Sequence, residues 1–201
     1  FNNKKALKDK KITAEVCIHH LWFNEDDYAK KGTYIKWNPA VKTKKDQEAL
    51  IQGLIDDHLD VLATDHAPHT KQEKKNVYTK APSGGPLVQH ALPALLQMHH
   101  QGKITLEKIV EKACHNPAIL FDIEKRGFIR EGYKADLVLV DLNSPWAVQP
   151  DNIFSKCQWS PFEGTTFKSR VTHTFVNGRL VYKNFKHQPF QKVAERLTFD
   201  R

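Results

Sequence analysis

Three short apolar runs, each ending in polar residues, limit the fold more than any other feature of the chain. Ile12-Thr13-Ala14-Glu15-Val16-Cys17-Ile18 ends in His19-His20. Tyr34-Ile35-Lys36-Trp37 ends in Asn38-Pro39, and Asp60-Val61-Leu62-Ala63-Thr64 ends in Asp65. Between the last two, Ala49, Leu50, Leu54 and Ile55 share one helical face of Lys45 to Asp57, and Thr43 stands where an N-cap is needed. Strands alternating with helices are the grammar of an α/β fold with parallel strands. In a (β/α)8 barrel the C-terminal strand ends face the active site, and His19, His20, Asn38 and Asp65 would lie there.

The third run leads into Asp65-His66-Ala67-Pro68-His69. An aspartate leaving a strand commonly serves as a turn or cap residue. It can also bind a divalent metal and take a proton from metal-activated water. Pro68 stiffens the loop, His69 follows four residues on, and Lys74 comes after, which shifts the balance towards a site.

Residues 71–86, rich in lysine and closing on Ala81-Pro82-Ser83-Gly84-Gly85-Pro86, read as a mobile loop. A helix is expected from Leu87 to His100, bent at Pro93. Thr105 caps another helix bearing Leu106, Ile109, Val110 and Ala113, which ends or breaks at Asn116-Pro117. After about residue 123 strands take over, at Gly127-Phe128-Ile129, Ala135 to Val140 and Ser169 to Val176. Asn177-Gly178 between two β-rich runs is a strong hairpin signal, since both turn positions need positive φ. The expected organisation is residues 1–123 as the C-terminal part of a barrel (about strands six to eight), and 124–201 as a small β-sandwich-like module with a tail. Phe1-Asn2-Asn3-Lys4 reads as the interior of a helix or loop in a longer product.

Composition removes several classes. At 201 residues, 40% hydrophobic and 27% charged, the chain can bury a full core. No apolar run approaches the roughly 20 residues a membrane span needs, and no signal peptide is evident. Cys17, Cys114 and Cys157 are too scattered for a disulfide framework or a Cys-x-x-Cys zinc site, so a cytoplasmic setting is expected. The net charge of +8 gathers in lysine clusters, at Lys4-Lys5, Lys8, Lys10-Lys11, Lys42 to Lys45 and Lys71 to Lys75. Acidic residues are interleaved and no recognition helix accompanies them, so solvated faces are expected rather than a nucleic-acid partner.

Ala63-Thr64-Asp65-His66-Ala67-Pro68-His69, with Glu73-Lys74 at the right interval, resembles the second signature motif of the dihydroorotases. Lys36-Trp37-Asn38-Pro39-Ala40-Val41-Lys42 is similar to the family's Lys-x-Asn-Pro-Pro-Leu-Arg, with Ala40 and Lys42 as departures. Ala14-Glu15-Val16 with His19-His20-Leu21 resembles Glu-Val-x-Pro-His-His-Leu, with Ile18 for proline. Glu131 to Val138, Ser160 to Gly164 and Val176 to Arg179 resemble the return into a small β domain shared by many amidohydrolases.

The resemblance implies the C-terminal half of a dihydroorotase, which opens (S)-dihydroorotate reversibly to N-carbamoyl-L-aspartate in pyrimidine synthesis. Asp65 would be a metal ligand from the last barrel strand and the general base and acid. Asn38 and His69 would contact substrate, and the Ser83-Gly84 backbone would close over it. Ser83 stands where the family usually has phenylalanine, and Pro86, Gln89 and His90 are also atypical. The implied cofactor is a binuclear zinc centre whose other ligands lie upstream, for no His-x-His occurs here. The expected partners are the missing N-terminal half and a second copy in a homodimer, and this chain alone is expected to be inactive.

His19 and His20, as strand neighbours, would point to opposite faces, so at most one faces the site; packing or hydrogen bonding is expected of them. Glu15 matches an acid that binds an additional metal in some relatives. His99-His100, His115 and His173 read as surface or core residues. Two other functions stay open, another cyclic amidase of hydantoinase or allantoinase type and a non-catalytic dihydroorotase-like scaffold.

Overall fold

The computed structural model describes residues 6–189 and 192–200; the opening Phe1–Lys4 stretch lies outside them. The first strands, β1 (Glu15–Cys17) and β2 (Val61–Ala63), pair in parallel with Val16 opposite Leu62. Val16 is buried while Glu15 is exposed, as a pleated strand requires. Asp60 sets this register from a buried position. Its carboxylate accepts the Ala14 N–H at 2.9 Å and pairs with Lys10, and its carbonyl accepts from Asn116 Nδ2 at 2.6 Å. Two parallel strands are an arc of barrel wall, not a closed barrel.

Helices α1 (Ile18–Trp22), α2 (Tyr28–Lys31) and α3 (Lys44–Ile55) lie between the strands. The expected Thr43 cap is present: its hydroxyl accepts from Asp46 N at 3.2 Å and Asp46 returns a bond to Thr43 N at 3.1 Å. His19 and His20 sit in α1 rather than at the end of a strand. Nor is Tyr34–Trp37 a strand: Gly32–Ile35 make a 3-10 turn closed by Lys36 N to Thr33 O at 3.0 Å. The Lys36 carbonyl then serves the loop described below rather than a sheet.

Residues 71–86 are not a loose loop. They begin with α4 (Lys71–Lys74), capped by Thr70 and Glu73, and are tied down by Lys74. The next helix starts later than expected: a 3-10 turn at Val88–His90 precedes α5 (Ala91–His100). Pro93 falls in its first turn, where no carbonyl requires its missing N–H. Thr105 caps α6 (Leu106–Val110), accepting from Lys108 N at 3.2 Å. Pro117 does not end that segment. A π-helical turn, Glu111–His115, absorbs the lost hydrogen bond and α7 (Asn116–Leu120) continues. Gly127–Ile129 is a turn with Phe128 stacked on His115 at 4.2 Å, not a strand.

The remaining strands are β3 (Leu137–Asp141), β4 (Trp146–Ala147), β5 (Thr166–Phe167), β6 (Arg170–Val176), β7 (Arg179–Lys183) and β8 (Lys186–His187). They form an antiparallel sheet in the order β3-β6-β7-β8 and a separate β4-β5 ribbon. The turn from β6 to β7 has Asn177 at φ 49° and Gly178 at φ 77°, the left-handed pair expected of Asn-Gly.

Phe23, Trp37, Phe162 and Phe167 form an aromatic centre in the core, and His19 and His90 are buried within it. Burial, with His20 adding to it, pushes His19 down to about 3, and burial pushes His90 down to about 4. Unfolded imidazoles take up protons near pH 6.5. Below that value the unfolded chain binds more protons than the folded one, so stability falls with pH. The urea midpoint is expected to hold between about pH 6.5 and 7.5 and to decline steadily from there towards about pH 4.5, before most carboxylates titrate. A flat profile over that window would contradict the burial of both rings in neutral form.

Candidate active site

The chain leaves β2 through Asp65, whose φ of 46° turns it off the strand. Aspartate tolerates this left-handed region better than most residues. His66 and His69, which follow, dock the loop. His66 pairs with Gly85 in a parallel bridge, and its Nδ1 accepts from Leu87 N at 3.0 Å and Val88 N at 3.2 Å. An Nδ1 that accepts places the proton on Nε2. His69 Nε2 lies 3.0 Å from the Ser83 carbonyl and donates to it, while the His69 carbonyl accepts from Trp159 Nε1 at 2.7 Å.

Gly84 makes this docking close. It has φ 119°, and a Cβ there would stand 2.6 Å from the Ala67 carbonyl oxygen and 2.8 Å from Ala67 Cβ. Its N–H donates to Lys36 O at 3.0 Å, which joins the loop to the segment carrying Asn38. Asn38 itself is exposed and precedes a cis peptide to Pro39.

Beneath the loops lies Lys74, with no exposed surface. Its Nζ donates to Gly84 O at 2.8 Å, Pro82 O at 2.9 Å and Lys36 O at 3.4 Å, and lies over the Trp159 ring at 5.9 Å. Among the described residues no carboxylate pairs with it. Burial, then the Lys36 ammonium, brings it down to about 8. Lys36 Nζ holds the same loop from the other side, donating to Tyr78 O and Ala81 O at 2.6 Å each.

The structure therefore brings His69, Ser83 and Gly84 into direct contact and reaches Asn38 through the Lys36 backbone. Asp65 stands on the same loop as His69, with Cys17 at the adjoining end of β1. There burial, then Glu15 and Asp65, drives the Cys17 thiol up to about 11. Sequence reasoning missed the parts played by Lys36, His66 and Trp159, and noted Lys74 only as a motif position. The signal lay in Lys36 and Lys74 both occupying fixed positions of matched motifs, where a surface lysine has no reason to be fixed.

A zinc ligand must be deprotonated with a free lone pair. The Asp65 carboxylate is exposed, and no hydrogen bond or ion pair holds it among the described residues, so it fits as one ligand. Ligand atoms of Cys17, His19 and His20 also lie within 4.8 Å of one another. That trio fits poorly. His19 is sealed against Trp37 with rings 4.3 Å apart, and His20 Nε2 is engaged by Pro39 O at 2.9 Å. Neither ring nitrogen of His19 makes a well-formed hydrogen bond, although the Thr64 carbonyl acts on the ring. Among the described residues no helix is long and apolar enough to cross a membrane.

Residues 4–181 match the model of the amidohydrolase family. The chain is 43% identical over 152 residues to a dihydroorotase of Halobacterium salinarum, covering 76% of this chain and 36% of that protein. It is 41% identical over 175 residues to a dihydroorotase of Anoxybacillus flavithermus, covering 86% of this chain and 40% of that one. It thus spans about two fifths of the length of these relatives. Among solved structures, the L-hydantoinase (dihydropyrimidinase) from Arthrobacter aurescens superposes with a TM-score of 0.88 at 27% identity, over 92% of this chain and 42% of that one. A D-hydantoinase follows with 0.79 at 23% identity, over 87% and 40%, and shows the fold alone.

Proposed function

The chain belongs to the amidohydrolase family, and on that premise we propose that it is the substrate-binding and proton-transferring part of a dihydroorotase. The observation that carries the reading is the docking of the Asp65–His69 loop on Ser83–Gly84, with Asn38 tied in through Lys36. The roughly 40% identity to dihydroorotases, against 27% to the L-hydantoinase, favours this substrate class over the cyclic diamides.

Bound zinc would supply the acidity that makes water nucleophilic at neutral pH. Asp65 would be one of its ligands, as the exposed and unengaged carboxylate permits. The same carboxylate would take a proton as water adds to the ring carbonyl, and give it to the ring nitrogen as the C–N bond breaks. Asn38 offers an amide donor and acceptor to the ring. His69 is held by its Nε2–H on Ser83 O, which leaves Nδ1 as its other polar atom. With Ser83 O, Gly84 N and Gly84 O engaged by His69, Lys36 and Lys74, the Ser83 N–H is the main-chain donor this segment would offer, so replacing the usual phenylalanine by Ser83 alters the wall but not that donor. The upstream half of the protein, with the remaining zinc ligands, and a second copy in a homodimer are the proposed partners.

The full-length gene product is expected to hydrolyse dihydroorotate at least about tenfold more efficiently, in kcat/KM, than hydantoin, dihydrouracil or allantoin, the net worth of one hydrogen bond. A chelator is expected to remove this activity and added zinc to restore it. Preference for hydantoin would move the assignment to another cyclic amidase. A folded protein with neither zinc nor turnover would support the scaffold.

A further inference from the structure

Lys36 and Lys74 both point into the protein rather than at a substrate. Lys74 is wholly buried, and its three Nζ donors are spent on the carbonyls of Lys36, Pro82 and Gly84. Lys36 spends its own on Tyr78 and Ala81. The bonds converge on one stretch, residues 78–84, and the Lys36 carbonyl is shared by Lys74 Nζ and Gly84 N. An ammonium has three donors and no acceptor, so it is suited to gathering carbonyls from chain segments that cannot bond one another. Hydrogen bonds from charged donors are also stronger than neutral ones, which suits a short segment lacking a sheet or long helix. A second fastening runs through the main chain of α4, where the Thr33 hydroxyl donates to Lys74 O.

We propose that Lys36 and Lys74 are paired positioning residues that fix the backbone of residues 82–84 relative to Asn38 and His69. They thereby set the spacing of the substrate contacts without touching substrate. The positioning half of this proposal rests on the dihydroorotase reading above; the clamp itself rests on the hydrogen bonds alone. Between them the two ammonium groups tie Tyr78, Ala81, Pro82 and Gly84 to one another and, through the Lys36 carbonyl, to the segment that leads to Asn38. Removing either should loosen one edge of the site and leave Asp65 in place.

The test uses the full-length gene product and its Lys74→Met variant, which keeps an apolar stem and loses the donors. Amide hydrogen exchange at Ala81 and Gly84 is expected to quicken by about ten- to a hundredfold, the range set by a charged hydrogen bond. KM for dihydroorotate is expected to rise about tenfold while kcat changes by less than about threefold, because ground-state contacts are displaced and the proton carrier is not. In Lys74→Ala, n-propylammonium, which replaces the missing atoms, should restore KM. Unchanged exchange would overturn the clamp. Faster exchange with KM unchanged, or a loss confined to kcat, would overturn the positioning role. Should Lys74→Met fail to fold, the half-buried Lys36→Met supplies the same comparison. Exchange is read whether or not the parent turns over, so an inactive parent withdraws the dihydroorotase reading and leaves the clamp to be decided by exchange.

Discussion

Asp65→Asn is expected to lower kcat/KM for dihydroorotate in the full-length gene product by about a thousandfold or more, the range of a lost general acid–base. The stability of the zinc-free protein should move by less than about 0.5 kcal/mol, as for a surface substitution. The two expectations belong together. No hydrogen bond or ion pair holds the carboxylate among the described residues, so the fold loses no bond when it becomes an amide. Asparagine also tolerates the φ of 46° at this position. What disappears is the negative charge and the ability to carry a proton. Turnover within tenfold of the parent would remove Asp65 from the chemistry. A large fall in the unfolding midpoint would show a structural role that its surroundings do not.

The second large effect is expected at Gly84. Alanine there would set its methyl 2.6 Å from the Ala67 carbonyl oxygen, a distance that backbone atoms must move to relieve. It would also hold a side chain at φ 119°. Strain of this kind costs about 1–3 kcal/mol and forced overpacking about as much again, so a loss of about 2–6 kcal/mol is expected. Chemical denaturation of parent and variant measures it. The displaced loop should also weaken substrate binding. Equal stability of Gly84→Ala would mean that the Ala67–Gly84 approach is looser than described.

The sequence was most legible where structure is local. Thr43 with Asp46, Thr105, and the Asn177-Gly178 turn each carry their geometry within a few residues, and each appears as expected. Tyr34–Trp37 shows how a period misleads. Ile35 and Trp37 are buried at alternate positions, as in a strand, but Ile35 closes a 3-10 helix and Trp37 follows it outside any sheet. Alternation reports which side chains go inside, not which carbonyls pair. Residues 71–86 were misread for a related reason. Lysine-rich composition predicts solvent, and Lys74 goes inward because backbone carbonyls from two distant segments await it. His19 and His20 were placed at a strand end, where a one-residue shift of β1 into α1 gives each ring a different task. Motif resemblance singles out the candidate residues of the loop, and their mutual fastening stays hidden from it, since that depends on long-range contacts.

The β1–β2 pairing bears on the order in which this protein gains its structure. Strands β6 and β7 meet across a two-residue turn, whereas residues 18–60 must be gathered before Cys17 can lie beside Ala63. By loop length alone that closure costs on the order of 3 kcal/mol more, and non-local pairings of this sort slow folding. The hairpin can therefore be in place while the strand carrying Asp65 is still searching for its neighbour. The proposed chemistry thus lies beside a pairing that closes later than the hairpin, so a variant can keep most of its secondary structure and yet never complete that end of the fold.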